Sequence, residues 1–289
     1  MATHKFSAGA AARGAISIVV FLLLWELGSR SGQWLGGDIF SPLREALGAL
    51  GFKKTYLPWV GAVPAPTDVL TAWAGVITDF GYWQSWYKSV FRVLAGFTAA
   101  MLIGIPFGLL LAVNRTAFGI GFPVFEVLRP IPPLAWVPAS IIFWPTQEMS
   151  IAFVTFLGAF YTIVINVVGG AKSIDQRYFQ AAQSMGSSQW DIFRRIILPG
   201  TLPSIMVGSA VGMGITWEVV VAAEMISGGG SQTGGTGGGG LGFFIWNSYV
   251  GGSYQQIVVG MISIGIAGFF SSELLRALGK FVTPWLRLR

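Results

Sequence analysis

The chain has 289 residues and a formal net charge of +6; 53% of its residues are hydrophobic and only 10% are charged. Soluble globular domains average about 25% charged residues, so this composition excludes an ordinary soluble domain and indicates several membrane spans. The chain has no cysteine and a single histidine, His4, which excludes disulfides and thiolate catalysis and leaves no candidate for a metal site. The basic residues cluster where cytoplasmic loops are expected, so the positive charge does not predict nucleic-acid binding.

The first apolar segment is Gly14–Trp25. It is short for a membrane helix, which needs about 20 residues, but counting back to Ala8 supplies the length if Arg13 extends its side chain to the membrane surface. A cleaved signal peptide is the alternative, because a basic start and a short apolar core also fit one. We favour an uncleaved first span, because the rest of the chain is itself embedded in the membrane.

Residues 28–88 have a mixed composition in which prolines interrupt any long helix. We predict two short interfacial helices here, Ser41–Leu50 and Thr67–Ile77. Tryptophan and tyrosine are frequent in this region, as is typical of the bilayer interface. The sequence therefore predicts that residues 1–87 form a first transmembrane helix followed by an interfacial or periplasmic segment, and that residues 88–289 form the core.

The core contains five further apolar segments, which makes an all-α membrane protein with six transmembrane helices. The predicted spans are Val93–Val113, a kinked span at about Val124–Trp144, Met149–Ala171, Ile205–Ile226 and Gln255–Leu275. Lysine and arginine are enriched in residues 172–204 and in the tail after residue 275, whereas the glycine-rich residues 227–254 carry no charge. Cytoplasmic loops carry the excess of basic residues, so we expect residues 172–204 and both termini in the cytoplasm and the glycine-rich loop outside.

Residues 172–204, which we call the elbow, read as two helices joined at a glycine. Residues 175–185 contain neither glycine nor proline and suit a helix, and Gly186 follows where a left-handed glycine commonly ends one. Ser188 precedes Asp191 by three residues, which predicts a capped start for a second helix. Pro199 and Pro203 limit how far that helix is expected to run unbroken.

The elbow also carries a specific spacing: Gln180-Ala181-Ala182, then Gly186 after three residues, then Ile196-x-Leu198-Pro199 after nine more. It resembles the EAA loop of permeases from binding-protein-dependent ABC importers. Further stretches are similar to the nitrate/sulfonate/taurine/bicarbonate group of that family, and the resemblance covers about residues 88–275. These stretches are Leu128–Pro138, Val221–Met225 and Gly240–Trp246.

The resemblance implies a type I ABC importer permease fold in the inner membrane, with the EAA loop as a cytoplasmic coupling helix. It implies assembly as a homodimer with two cytoplasmic ATPase subunits and a periplasmic solute-binding protein, and import of a small, anionic solute. ATP and Mg²⁺ are then expected on the ATPase, since this chain has no G-x-x-x-x-G-K-[ST] phosphate loop. For this chain itself we expect no cofactor and no enzymatic activity. The residues expected to couple to the ATPase are Gln180, Ala181, Ala182, Ser184, Met185, Gly186 and Ser187.

One position in the EAA pattern departs from the family, which usually has glutamate where this chain has Gln180. Glutamine can hydrogen-bond but cannot form an ion pair, so we expect no ion pair with the ATPase at this position. Small residues, Ala181, Ala182 and Gly186, are better candidates for the contact because they allow a partner to approach closely.

Ionisable residues inside a span are costly and often functional. Glu218 and Glu224 are six residues apart in the fifth span and do not share a helix face. Each has a pore-lining or gating interpretation, although Glu224 lies near the outer end and is also compatible with contact to water. Glu126 and Arg129 are expected to pair on one helix face, with an anion-guiding role for Arg129 as the alternative. The predicted translocation residues are Arg129, Trp217, Glu218 and Glu224.

Three other interpretations fit these residues less well. An ATP-independent carrier or channel predicts paired hydropathy repeats or several intramembrane charges that face each other, and neither is evident in the sequence. A membrane-embedded enzyme needs a histidine, cysteine or carboxylate constellation that the sequence lacks. The run Gly235–Gly240 fits G-x-G-x-x-G formally, but no strand precedes it, so we reject a dinucleotide site and interpret it as a flexible outer loop.

Overall fold

The computed structural model describes residues 8–35, 41–51, 62–227 and 239–285. These residues are mostly helical and include no strand, which confirms the all-α prediction. His4, the glycine run before residue 239 and the last two arginines lie outside the described residues. The helices are α1 (Ala8–Ser29), α2 (Ser31–Leu35), α3 (Ser41–Ala49), α4 (Pro66–Val76), α5 (Phe80–Val113), α6 (Arg115–Leu128), α7 (Val137–Phe143), α8 (Gln147–Lys172), α9 (Gln176–Ser184), α10 (Gln189–Ile192), α11 (Leu198–Ile226), α12 (Leu241–Val250) and α13 (Tyr254–Val282).

The chain divides into two compact units. Unit one comprises Met1–Phe80 and Ile245–Met261, and unit two comprises Gly81–Phe244 and Ile262–Arg289. The domain boundary after residue 87 stays a prediction.

In unit one, a carboxylate on α1 caps the start of α4. The residue before α4, Ala65, has no side chain able to cap the helix. Glu26 supplies the missing acceptor, because its carboxylate accepts hydrogen bonds from the Thr67 backbone N–H at 3.2 Å and from the Thr67 hydroxyl at 2.9 Å. Arg30 Nε donates to the same carboxylate at 2.5 Å. The contact fixes the α1 end against the α4 start, where the first backbone N–H groups otherwise lack partners.

Within the described residues, five helical segments are long and apolar enough to cross a membrane: Ala12–Gln33, Phe80–Val113, Gln147–Lys172, Gln189–Ile226 and Tyr254–Val282. Each contains most of one predicted span. The sixth expected span, the third in chain order, has no counterpart as a single helix.

The expectation of one kinked helix over Val124–Trp144 is therefore wrong in its form. Asn114 ends α5 and caps α6, with its side-chain oxygen accepting from two backbone N–H groups at 2.9 and 3.0 Å. Helix α6 stops at Leu128, a 3₁₀ turn follows at Pro133–Trp136, and only then does α7 begin. Three prolines at positions 130, 132 and 133 have no N–H to donate, so no continuous helix can pass through this stretch.

The core of unit two is the contact between α8 and α11. Small residues let the two helices approach closely: a Cβ at Gly208 would lie 2.6 Å from the Asn166 Cβ, and one at Gly212 would lie 3.5 Å from the Ala159 backbone. A Cβ at Gly170 would collide with Ser204. Close packing across small residues is how membrane helices associate when water supplies no driving force.

Helix α11 also corrects the expectation that Pro199 and Pro203 would interrupt the second elbow helix. The chain is helical from α10 through a π-helical segment, Phe193–Ile197, and on into α11 without a break. Pro199 lies in the first turn of α11, directly after the π-helical segment, and Pro203 lies inside α11. The second elbow helix is thus continuous with a helix long and apolar enough to cross a membrane.

Candidate functional site: the elbow and the charged residues of the membrane helices

The first elbow helix, α9, ends as the sequence predicts. Gly186 has a φ of +74°, in the left-handed region. Its N–H donates to the Gln183 carbonyl at 2.9 Å, and the Ser187 N–H donates to the Ala182 carbonyl at 3.0 Å. These two bonds form a Schellman motif, which satisfies carbonyls that the end of a helix leaves without partners. The chain therefore turns sharply at Gly186.

The second elbow helix begins at the predicted cap. The Ser188 hydroxyl accepts a hydrogen bond from the Asp191 backbone N–H at 3.2 Å and donates to the Asp191 carboxylate at 2.5 Å. Gly186 ends α9 and Ser188 caps the start of α10, so the turn between the two helices is fixed at both ends.

Most of the predicted coupling residues lie on the exposed surface of the elbow. Met185 is 79% exposed, whereas Ala182 is buried with 6% exposure. Other residues of this chain cover Ala182, so its small side chain is not exposed for contact with a partner. The sequence analysis missed two aromatic residues, Tyr178 and Trp190, which are 56% and 67% exposed. The exposed members of the coupling set are Gln180, Ala181, Ser184, Met185 and Gly186.

A buried ion pair joins α5 and α11 at the end of the helices distant in sequence from the elbow. Arg92 Nη1 lies 2.8 Å from a Glu224 carboxylate oxygen, and their side chains are only 5% and 1% exposed. Arg92 also binds Glu148 at the start of α8, where Nε lies 2.7 Å from one carboxylate oxygen and Nη2 contacts the other. Glu224 thus does not reach water, contrary to one interpretation of the sequence.

The same cluster holds the chain that enters α12. The Glu224 carboxylate accepts from the Gly242 backbone N–H at 2.9 Å and from the Ser89 hydroxyl at 2.8 Å. Ser89 in turn accepts from the Leu241 N–H at 2.8 Å, and Arg92 donates to the Gly239 carbonyl at 2.6 Å. Three groups, the Gly242 N–H, the Ser89 hydroxyl and the Gly239 carbonyl, therefore bind the carboxylate or the guanidinium directly, and the Leu241 N–H joins them through Ser89.

A signal for this cluster exists in the sequence. Arg92 and Glu148 each stand one residue before a predicted span, and Glu224 lies near the end of another. In the predicted up-and-down arrangement, the starts of the second and fourth spans and the end of the fifth lie on one side of the membrane. Charges of opposite sign at these three positions thus lie at the same level of the predicted topology, a signal that the predicted site residues left out.

The other predicted pathway residues lie apart from this cluster. Glu218 is exposed on α11, on the face that carries Val207 and Val211, which are 59% and 48% exposed. Trp217 is buried, and its indole N–H donates to the Ser271 hydroxyl on α13 at 3.0 Å. The structure thus places Trp217 in a helix–helix contact and Glu218 on an open surface.

Arg129 forms the expected pair with Glu126, at 2.9 Å between Nη1 and a carboxylate oxygen. Both side chains are more than two-fifths exposed. Arg129 also lines a cavity of about 340 Å³ together with residues of α8, among them Tyr161. Among the described residues, no group of three or more histidine, cysteine, aspartate or glutamate side chains is arranged to hold a metal ion.

Long apolar helices, an exposed elbow and charged side chains within the spans define a polytopic membrane transport protein. The chain matches the family of binding-protein-dependent transport system inner membrane components over residues 104–288, and it belongs to that family. This result confirms the family resemblance of the elbow and of the stretches on either side of it.

Two curated relatives extend the match towards the amino terminus. The nitrate import permease protein NrtB of Synechocystis sp. is 32% identical over 94% of this chain and 89% of its own length. The taurine transport system permease protein TauC of Escherichia coli is 33% identical over 77% of this chain and 80% of its own length. A solved inward-facing structure of the MetNI methionine ABC transporter shares the fold, with a TM-score of 0.59 at 18% identity over 69% of this chain and 95% of that chain.

Proposed function

We propose that this chain is the transmembrane subunit of an ATP-driven importer for a small anionic solute, and that two copies assemble with two ATPase subunits and a periplasmic binding protein. The elbow and both termini face the cytoplasm in this arrangement, because the basic residues concentrate there. ATP and Mg²⁺ bind to the ATPase, since this chain has no phosphate-binding loop.

The observation that carries the proposal is the exposed surface of the elbow. Tyr178, Met185 and Trp190 leave large apolar surfaces uncovered between polar neighbours. Exposed apolar patches of this kind mark protein–protein contacts, and aromatic residues dominate the binding energy of such contacts. Because the second elbow helix, which carries Trp190, continues without a break into α11, a push on it moves a membrane-spanning helix.

The second copy is supported by the open face of α11. Glu218 shares this face with Val207, Val211 and Gly214, which are all exposed. A carboxylate facing lipid in the middle of a span is costly, so residues of this kind face a protein interior or a water-filled path. We assign this face to the interface with the second copy and Glu218 to the selectivity of the path between the two copies.

The anionic substrate is supported by the relatives named for nitrate and taurine, and by the cation of Arg129 at the wall of a cavity beside α8. Trp217 and Glu224 are assigned to the wall of the pathway rather than to direct contact with the solute, because both are buried in helix contacts.

The ATP-independent carrier gains one argument from the structure, since Arg92, Glu148 and Glu224 are membrane-helix charges that face each other. The cluster differs from a relay site because Glu224 has 1% side-chain exposure and binds donors on three sides. A solute or proton path needs access that this carboxylate lacks. The family membership and the exposed elbow favour the pump.

The test is transport by the full complex in proteoliposomes. The chain is co-reconstituted with its partner ATPase and binding protein, and uptake of labelled nitrate and of labelled taurine is measured with and without internal ATP. We expect uptake of one of the two to require ATP and the binding protein. Uptake that proceeds without ATP and without the ATPase subunit would favour the carrier and overturn the proposal.

A further inference from the structure

A cavity in unit two combines one cation with two hydroxyl groups that have no partner. Arg129, Tyr161 and Thr162 supply its polar lining, and Leu157, Ile165 and Ile215 belong to its apolar wall. Its volume of about 340 Å³ is large enough for a small solute with several heavy atoms. The cavity is lined by α8, by Ile215 of α11, and by Arg129 and Pro133 in the segment that follows α6.

Tyr161 is the first of the two hydroxyl donors. The residue is only 9% exposed, and its ring packs on Phe125 and Phe160 with centroids 5.6 Å away in each case. These contacts fix the ring, yet its hydroxyl makes no hydrogen bond within the described part of the chain. Since Tyr161 lines the cavity and its ring is fixed by these contacts, its hydroxyl is a preorganised donor for a group bound there.

Thr162 is the second donor and follows Tyr161 directly in α8. Its backbone carbonyl accepts from the Asn166 amide at 2.8 Å, whereas its hydroxyl has no partner among the described residues. Threonine hydroxyls in helices often bond to the carbonyl one turn earlier, as Thr155 does to Ile151 at 2.6 Å. The hydroxyl of Thr162 is therefore free to donate to a ligand.

Arg129 provides the charge. Glu126 occupies only its Nη1 atom, at 2.9 Å, which leaves the other guanidinium N–H groups available. The pair with Glu126 partly neutralises Arg129, so the site balances one negative charge better than two. Tyr161, which lines the cavity together with Arg129, is the fifteenth of the 26 residues of α8, so the cavity lies near the middle of that helix. A charged residue at this depth marks a solute path.

We infer that Arg129, Tyr161 and Thr162 form a binding site for a small monovalent oxyanion inside this chain. The guanidinium binds the charge, and the two hydroxyls donate to its oxygens. The apolar wall accommodates a short carbon chain, so an alkanesulfonate fits better than nitrate. This inference rests on the proposed import function, but it places part of the selectivity in the membrane subunit rather than in the binding protein alone.

The test measures binding directly on the purified full chain in detergent. The thermal unfolding midpoint is followed against sodium ethanesulfonate, sodium nitrate and sodium chloride at constant ionic strength. For the unaltered chain we expect a saturable rise with ethanesulfonate, a weaker one with nitrate and none with chloride.

Substitutions at the cavity wall test whether ethanesulfonate binds there. Tyr161→Phe and Thr162→Val each remove one hydroxyl at nearly constant shape, and we expect each to raise the half-saturating ethanesulfonate concentration by about three- to tenfold. Arg129→Gln abolishes saturation, and Glu126→Gln lowers the half-saturating concentration because the guanidinium loses its competing carboxylate. Tyr87→Phe, at a tyrosine that is 71% exposed and outside the cavity, leaves binding unchanged.

Two results overturn the inference: chloride acting as strongly as ethanesulfonate, or both hydroxyl variants binding as tightly as the unaltered chain. Either result leaves the pump intact if uptake in proteoliposomes still requires ATP. Conversely, saturable binding with the expected variant pattern but without ATP-dependent uptake contradicts the pump and retains the site.

Discussion

Arg92 and Glu224 lie 132 residues apart in the chain, and their charged groups meet at 2.8 Å in the interior of unit two. The pair is shielded from solvent and is completed by Ser89, Glu148 and the backbone at positions 239 and 242. Because each charged group has several partners, the cluster ties α5, α8 and α11 to the chain that enters α12. In the predicted topology, this cluster joins the helices at their ends on the side of the membrane opposite to the elbow.

Replacement of Arg92 by methionine is expected to destabilise the chain strongly. It leaves the Glu224 carboxylate buried without its cation, which costs about 3–5 kcal/mol when a buried pair is broken. The free energy of unfolding in mixed detergent micelles measures the effect. Arg276→Met is the matched control, because Arg276 and its partner Glu273 are 57% and 39% exposed and such pairs contribute about 0–1 kcal/mol.

The double variant Arg92→Met with Glu224→Met separates charge from packing. Without either charge, the chain should recover much of the stability that the single variant loses. Equal losses in the single and double variants would contradict the role of the ion pair.

Gly242 is expected to tolerate no side chain. A Cβ at this position would collide with the Val221 carbonyl oxygen of α11 and approach the Glu224 Cβ at 2.9 Å. Gly242→Ala should therefore cost about 1–3 kcal/mol through overpacking and lower the thermal unfolding midpoint. Gly265→Ala is the control, since nothing lies within 4 Å of a Cβ there. The same midpoint for both variants would show that the 239–242 segment is not held as described.

The conformation of Gly186 is expected to matter for coupling rather than for the membrane core. A Cβ at this position meets no atom within 4 Å, but its φ of +74° disfavours a β-branched residue, by about 1–2 kcal/mol. Gly186→Val should therefore distort the turn and reduce ATP hydrolysis stimulated by the binding protein in the reconstituted complex. Gly186→Asn should retain most of it, because asparagine tolerates the left-handed region.

If Gly186→Val and the unaltered chain hydrolyse ATP equally in the same preparation, the coupling role of the elbow is wrong. The unfolding midpoint of the isolated chain provides the check on folding: we expect a small decrease for Gly186→Val, which bears the backbone cost, and little change for Gly186→Asn.

Trp190 is expected to be a major contact with the ATPase. It is 67% exposed and stacks on Phe193, with ring centroids 5.5 Å apart. Trp190→Ala should change the stability of the isolated chain by no more than about 0.5 kcal/mol, yet weaken ATPase binding about tenfold or more. Affinity is measured with purified ATPase and the chain in lipid nanodiscs.

Trp83→Ala is the control for this measurement. Trp83 is 50% exposed, comparable to Trp190, but lies in the first turn of α5. It should leave ATPase affinity unchanged; equal weakening by both substitutions would mean that the effect is not specific to the elbow.

The elbow illustrates what short-range chemistry predicts well. Gly186 and Ser188 each act through neighbours within a few residues, so their conformations follow from residue type and spacing. The long spans follow from composition, because a long uncharged helix satisfies its own backbone hydrogen bonds inside a bilayer. The break in the third span does not follow from residue type alone, because several closely spaced prolines are compatible with a kinked helix as well as with a full interruption.

The amino-acid sequence by itself determined the all-helical membrane class, the family and the local geometry of the elbow, because these depend on apolar length and on contacts within one or two turns. Only the tertiary structure decided that Glu224 is paired with Arg92 rather than hydrated, and that Arg129, Tyr161 and Thr162 line one cavity. Such contacts join helices far apart in sequence. They depend on how each helix is rotated about its axis, and close packing between side chains of several helices sets that rotation.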